Sequence, residues 1–243
     1  EEAGAKLRVR SELFADHYSQ ARQFYLSQTE VEQTHIRDAF TFELGKCWDE
    51  TIRQREVAQA ANALEELGIT AGDRVVVYLP VIVETIVIAL ACARIGAVHS
   101  LVFGGFSADA LRSRIEDGEA KLVVTADGSF RRGKPSMLKP AVDQALSAPG
   151  HTAEHVLVVR RNEAEVEMTE GRDLWWHDVV DGQSDEHELV WHDAEHPLYI
   201  LYTSGTTGKP KGILHTTGGY LVQAAATHHD TFDLHPESDV FWC

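Results

Sequence analysis

Eleven consecutive residues, Tyr202-Thr-Ser-Gly-Thr-Thr-Gly-Lys-Pro-Lys-Gly212, hold three glycines, four Ser or Thr hydroxyls and two ammonium groups, directly after the apolar run 198–201. Glycine lets a backbone take positive φ and come close to a ligand. Hydroxyl and ammonium groups on such a turn suit an anion with several oxygens, most simply a polyphosphate. The spacing is not that of a Walker A loop, which has four residues between its glycines and Ser or Thr after the lysine. Here two residues separate Gly205 from Gly208, and Pro210 follows Lys209. Pro210 has no N–H and biases Lys209 away from helix, which predicts a mobile loop between strands rather than a helix start. Gly, Ser and Thr are also ordinary turn residues, but two lysines flanking a proline within such a run set this one apart. Lys209 is the candidate for stabilising phosphate charge; no catalytic residue is assigned beyond it.

A second basic group, Arg131, Arg132, Lys134 and Lys139, reads either as an anion site or as plain surface charge. It stands out because the 243-residue chain is acidic, with 22 Lys and Arg against 38 Asp and Glu, a formal charge of −16. That balance disfavours a nucleic-acid partner, since backbone phosphates are held by clustered cations. The 13 histidines are scattered without HExxH or Cys/His ligand spacing, so no metal ligand set is predicted. Cys47, Cys92 and Cys243 are far apart and form no CxxC pair; they read as reduced, mostly buried thiols of a cytoplasmic protein. Composition, 44% hydrophobic and 25% charged, is that of a globular protein of one large or two small domains. The longest apolar stretch, 81–95, is broken by Glu84 and Arg94 and falls short of the roughly 18–20 residues of a membrane helix, so no membrane role is expected. No secretion signal is read at the start. The chain opens without Met and stops at Asp239-Val-Phe-Trp-Cys243, which resembles the start of a buried strand; the expectation is a piece of a longer protein.

The elements that position these groups follow from periodicity. Apolar residues at helical spacing predict all-helical structure over the first fifty-odd residues, with helices over 14–26 and 29–44; Thr29 and Glu32 form a capping box. From Glu56 helix and strand alternate: a helix closed by Gly68, a strand 74–79 stopped by Pro80, and a helix 83–95, apolar nearly all round, as suits a buried one. A strand 97–103, a helix 107–117 capped by Ser107 and a strand 122–126 come next. A helix near 136–146 and strands 156–159 and 198–203 extend the series. This rhythm predicts an α/β fold, a parallel sheet with helices on both faces, preceded by a short all-helical segment. Residues 163–197 read as a polar surface segment anchored by Trp175, Trp176 and Trp191.

Residues 203–212 resemble the phosphate-binding signature of the adenylate-forming superfamily. Leu90-Ala-Cys-Ala-Arg-Ile-Gly-Ala-Val-His-Ser-Leu-Val-Phe-Gly-Gly-Phe106, Glu170-Gly-Arg-Asp-Leu-Trp-Trp-His-Asp178 and Leu214-His-Thr-Thr-Gly-Gly-Tyr220 narrow the resemblance to AMP-forming acetyl-CoA synthetases over residues 56–243. It implies part of an N-terminal adenylation domain. The implied reaction joins acetate to ATP, releasing pyrophosphate, and then transfers the acetyl group to CoA. The partners implied are small molecules: acetate or a similar short carboxylate, ATP and CoA, with Mg²⁺. By this resemblance Thr203, Ser204, Gly205, Thr206, Thr207, Gly208 and Lys209 contact the nucleotide phosphates, with Lys211 as supporting charge. Phe103, Gly104 and Gly105 match the segment lying against the CoA adenine, and Arg131 an arginine on its phosphates. Lys134 replaces a second arginine, keeping the charge and losing the bidentate fork. Asp127-Gly128-Ser129 departs slightly from the family pattern. The Mg²⁺ ligand, the acetate pocket and a catalytic lysine belong to family segments that follow the equivalent of Cys243, so no metal ligand is named here.

Residues 1–55 differ. Phe14-Ala-Asp-His-Tyr-Ser-Gln-Ala-Arg-Gln-Phe-Tyr25, residues 29–35 and Ala39-Phe-Thr-Phe-Glu-Leu-Gly-Lys46 resemble the helical C-terminal part of a haem catalase core. Catalase activity is not implied, because the haem-ligating tyrosine and catalytic histidine belong to other parts of that family. Two readings stand side by side: part of an AMP-forming acetyl-CoA synthetase, and a nucleotide- or CoA-binding fragment or chimeric chain with no complete active site.

Overall fold

A computed structural model describes Thr29 and residues 50–131, 133–203 and 210–232. The chain divides into units of residues 1–50 and 51–243. Apart from Thr29, the helices expected over 14–26 and 29–44 lie outside the described residues, as do Cys47 and Cys243.

Helix α1, Glu50–Glu66, buries Val57, Ala60, Ala61 and Leu64, the stripe expected from their spacing. It ends in a Schellman motif: the Gly68 N–H donates to the Glu65 carbonyl, the Ile69 N–H to that of Leu64, and Gly68 takes φ 77°. The sequence boundary between residues 55 and 56 therefore falls inside a continuous helix. Alternation follows: β1 Arg74–Leu79, α2 Val83–Ile95, β2 Val98–Phe103, α3 Ala108–Asp117 and β3 Leu122–Ala126. Ser107 caps α3, its hydroxyl accepting from the Ala110 N–H at 3.3 Å. Helix α2 has an open side as well as a buried one: Val87, Ile88, Ala91, Cys92 and Ile95 are buried, whereas Ile86 and Leu90 are exposed. Burial pushes the Cys92 thiol up to about 12.

Next come β4 Gly128–Arg131, β5 Lys134–Met137, α4 Lys139–Leu146, β6 His155–Val159, β7 Asp173–Trp175 and α5 Trp176–Val179. The series continues with β8 Pro197–Thr203, β9 Lys211–Thr216 and α6 Thr217–Ala226, and Thr227–Phe232 prolongs α6 as a π-helical turn. Among the described residues one seven-stranded sheet has the order β7-β6-β3-β1-β2-β8-β9. Pairings are parallel except β8 with β9, so the expected parallel sheet gains an antiparallel edge. Val75 to Leu79 and Leu122 to Ala126 are buried at every position, which requires cover on both faces.

Three expectations change. The helix near 136–146 starts instead at Lys139, because residues 134–137 pair with 128–131 as an antiparallel hairpin. Trp175 and Trp176 pack against the core, but Trp191 is 91% exposed and anchors nothing. Lys139 leaves the basic cluster altogether. Its side chain has no exposed surface, and Nζ lies 2.6 Å from Asp143 Oδ1 and 2.7 Å from Asp173 Oδ2. Arg172 reaches the same carboxylates, Asp143 through Nη2 and Asp173 through Nε, each at 2.6 Å. Two cations and two carboxylates thus neutralise one another and tie α4 to β7.

Burial alone would raise the Asp173 carboxyl, but hydrogen bonds from Arg172, Lys139 and the Thr169 N–H hold it below the ordinary value. A depressed carboxyl contributes stability above its unfolded pKa and loses it as pH falls through the folded value. Asp173→Asn is therefore expected to lower the thermal midpoint at pH 7, with the gap to the unaltered chain closing below about pH 4. Lys139→Ala, which strands buried carboxylates, is expected to cost about 3 kcal/mol in urea unfolding.

Candidate functional site at the carboxyl ends of the strands

The chain runs from β1 to β2 on one side and then crosses back to place β3 on the other side of β1. In open α/β sheets such a reversal leaves a crevice outside the carboxyl ends of the strands. A cavity of about 290 Å³ lies at that place, lined by Pro80 after β1, Phe103 and Gly104 at the end of β2, Ser129 and Phe130 of the hairpin, and Arg161. Gly104 sits so close to β1 that a Cβ would lie 3.0 Å from the Leu79 carbonyl. The turn beyond is held by the Gly105 and Phe106 N–H groups, both donating to the Phe103 carbonyl, and by the Tyr78 hydroxyl, which donates to the Phe106 carbonyl at 2.8 Å. The Phe103 ring, 60% exposed, stands edge-on to Phe106 with centroids 6.2 Å apart.

The hairpin of β4 and β5 places Arg131 directly opposite Lys134 at its turn end. Gly133, at the turn end of the hairpin, takes a positive φ of 72°. Two basic positions separated in sequence thus become cross-strand neighbours, on the same hairpin whose other residues line the cavity with Phe103 and Gly104. The sequence reading did not single out Arg161, whose position just after β6 was its available signal.

The glycine-rich loop joins β8 to β9. Thr203 lies opposite Lys211 in that antiparallel pair, so the ends of the loop meet as expected of a loop between strands. Ser204, Gly205, Thr206, Thr207, Gly208 and Lys209 lie outside the described residues. His99 pairs with Tyr199, which sets the parallel strands β2 and β8 in register and brings their ends, Phe103 and Thr203, to the same level. His99 itself is buried, which lowers it to about 4 and leaves it neutral at pH 7. Tyr202 enters the loop with its hydroxyl donating to Asp117 Oδ2 at 2.6 Å; burial and the Asp117 carboxylate both raise the phenol. The Arg114 guanidinium stands 5.2 Å from the Tyr202 ring and 4.9 Å from that of Phe106, so a single cation links the loop to the Phe103–Phe106 turn.

A more open hollow of about 620 Å³, lined among others by Glu56, Glu84, Arg160 and His177, gathers none of the residues predicted to bind ligand.

The family model "AMP-binding enzyme" matches residues 51–243, and the model "Catalase-related immune-responsive" matches residues 11–72. Over 188 residues the chain is 68% identical to an acetyl-coenzyme A synthetase of Streptomyces avermitilis, covering 77% of this chain and 29% of that protein. Its counterpart from Escherichia coli is 54% identical over 190 residues, covering 78% and 29%. An acetoacetyl-CoA synthetase structure from Streptomyces lividans superposes with a TM-score of 0.69 at 32% identity, covering 76% of this chain and 28% of that one. The chain thus spans about 29% of the length of the curated relatives it matches.

Gly104→Ala is expected to displace the turn from β1 and to lower stability by about 1–2 kcal/mol, since overpacking against backbone cannot be relieved by a side-chain rotation. Urea unfolding checks this, and an unchanged midpoint would show that the turn has room to move.

Proposed function

Since the chain belongs to the AMP-binding enzyme family, we propose that it is the N-terminal part of the adenylation domain of an AMP-forming acetyl-CoA synthetase. The observation that carries this reading is the 54–68% identity to curated acetyl-coenzyme A synthetases over 188–190 residues of the chain. In the proposed reaction an acetate oxygen attacks the α-phosphorus of ATP and pyrophosphate leaves. The CoA sulfur then attacks the acetyl carbonyl and AMP leaves.

Negative charge grows on the departing phosphates, and preorganised donors aimed at it lower the barrier. Thr203, Ser204, Gly205, Thr206, Thr207 and Gly208 supply hydroxyl and N–H donors, Lys209 the ammonium group, and Lys211 further positive charge at the loop's far end. Tyr202, fixed to Asp117 and stacked beside Arg114, sets where the loop departs from the sheet.

CoA is assigned to the cavity of about 290 Å³. Phe103 offers an exposed ring for the adenine, and Gly104 and Gly105 let backbone approach it. Arg131 and Lys134, cross-strand neighbours in the hairpin, are the proposed phosphate contacts, Lys134 as a point charge rather than a fork. ATP in this family is used with Mg²⁺, but among the described residues no group of three or more His, Cys, Asp or Glu side chains stands together to hold a metal ion, and no step is assigned to it. The partners are therefore small molecules rather than nucleic acid, in keeping with the charge of −16. No described helix is long and apolar enough to cross a membrane; the buried free thiol of Cys92 supports a cytoplasmic setting. The complete reaction belongs to the full length of the relatives, and this chain's share is the ATP phosphates and one wall for CoA.

Lys209→Ala is expected to weaken ATP binding by about 10- to 100-fold, the worth of a charge-assisted contact, while CoA binding is unchanged. Isothermal titration with each ligand tests it, and unaltered ATP affinity would refute the role given to the loop.

A further inference from the structure

Asp127 follows β3 and is completely buried. Its backbone already joins three segments: the N–H donates to the Val159 carbonyl at 2.9 Å, and its carbonyl accepts from the Leu138 N–H at 3.1 Å. The side chain does more. Oδ1 accepts from the N–H groups of Gly128 at 2.6 Å, Arg161 at 2.8 Å and Asn162 at 3.2 Å. Three donors converging on one carboxylate oxygen make a strong, directional anchor. Among the described residues Oδ2 is buried without a partner.

Those donors come from the two segments that bring the hairpin and Arg161 to the cavity. Gly128 opens the hairpin, whose Ser129 and Phe130 line the cavity and which carries Arg131 and Lys134, while Arg161, just after β6, lines it too. Asn162 closes the link, its Nδ2 donating to the Ser129 carbonyl at 3.4 Å. The fit is tight at the base: a Cβ on Gly128 would meet the Asn162 side chain and lie 2.5 Å from the Ser136 carbonyl oxygen. Only glycine fits there, and only an acceptor at Oδ1 satisfies the three N–H groups.

We propose that Asp127 is the positioning residue of the CoA site: it touches no ligand, but it sets the distance and angle between the basic hairpin and the wall formed by Arg161. This rests on the reading that the cavity takes CoA.

The test is isothermal titration of the full 243-residue chain with CoA and, separately, with ATP. Asp127→Ala is expected to raise the Kd for CoA about tenfold or more and that for ATP by less than about twofold, while Asp127→Asn, which keeps an oxygen acceptor in place, stays within about threefold for CoA. Equal weakening of both ligands by a folded Asp127→Ala chain would overturn the proposal. Should Asp127→Ala fail to fold, Gly128→Ala decides, with the same selective loss of CoA expected and unchanged CoA affinity overturning the proposal. An unaltered chain that binds ATP but not CoA would remove the CoA reading itself and the proposal with it. An unaltered chain that binds CoA, with that affinity kept in both alanine variants, would remove the proposal alone.

Discussion

Because β1 and β3 bury both of their faces, the centre of the sheet has no open side on which to hold a polar ligand. Polar chemistry is pushed to the strand ends, where backbone N–H and C=O groups leave the ladder and turns can carry charge. The order of the strands decides which ends. With β2 and β3 on opposite sides of β1, the turns after them diverge and a crevice opens between Phe103–Gly104 and the hairpin of β4 and β5. The parallel pairing of β2 and β8 then brings Thr203, the end of β8, to the same level. The proposed phosphate and CoA sites are thus both consequences of one covered, mostly parallel sheet.

The hairpin that forms the outer wall is short and polar, and it is held from both ends by buried charge. At its start Asp127 takes three backbone N–H groups on one oxygen. Just after its end, Lys139 and Arg172 share the carboxylates of Asp143 and Asp173. Buried ions are costly unless paired and hydrogen-bonded; Lys139, Arg172, Asp143 and Asp173 pair with one another, and Asp127 is met by N–H groups through Oδ1. Such networks add little net stability compared with apolar packing, but they accept few alternative arrangements. That is the property a binding hairpin needs more than it needs depth of burial.

Much of this was legible in the sequence. The apolar run of β1 with Pro80 behind it, the Ser107 cap and the glycine at 68 each encode their element locally, and the structure places them as read. The glycine-rich loop was legible as a connection between strands, and the meeting of Thr203 and Lys211 agrees. What failed to show was non-local. Residues 134–137 have little strand character and include Pro135; they become a strand by pairing with 128–131, so the helix at Lys139 was begun too early. Lys139 looked like a surface cation because only Asp143, one helical turn away, is visible locally; Asp173 and Arg172 arrive from β7 and the residue before it. Trp191 illustrates the reverse error, since a large aromatic predicts burial only where something packs on it.

Two distinct ligand positions, one for nucleotide phosphates and one for CoA, are proposed on this chain. Amide hydrogen exchange with each ligand alone separates them, because exchange reports on each backbone segment separately. ATP is expected to slow exchange over residues 203–212 and to leave the hairpin unchanged, and CoA to slow exchange over 103–106, 128–137 and 161–162. Protection of both regions by either ligand alone, or of neither, would rule out two separate sites.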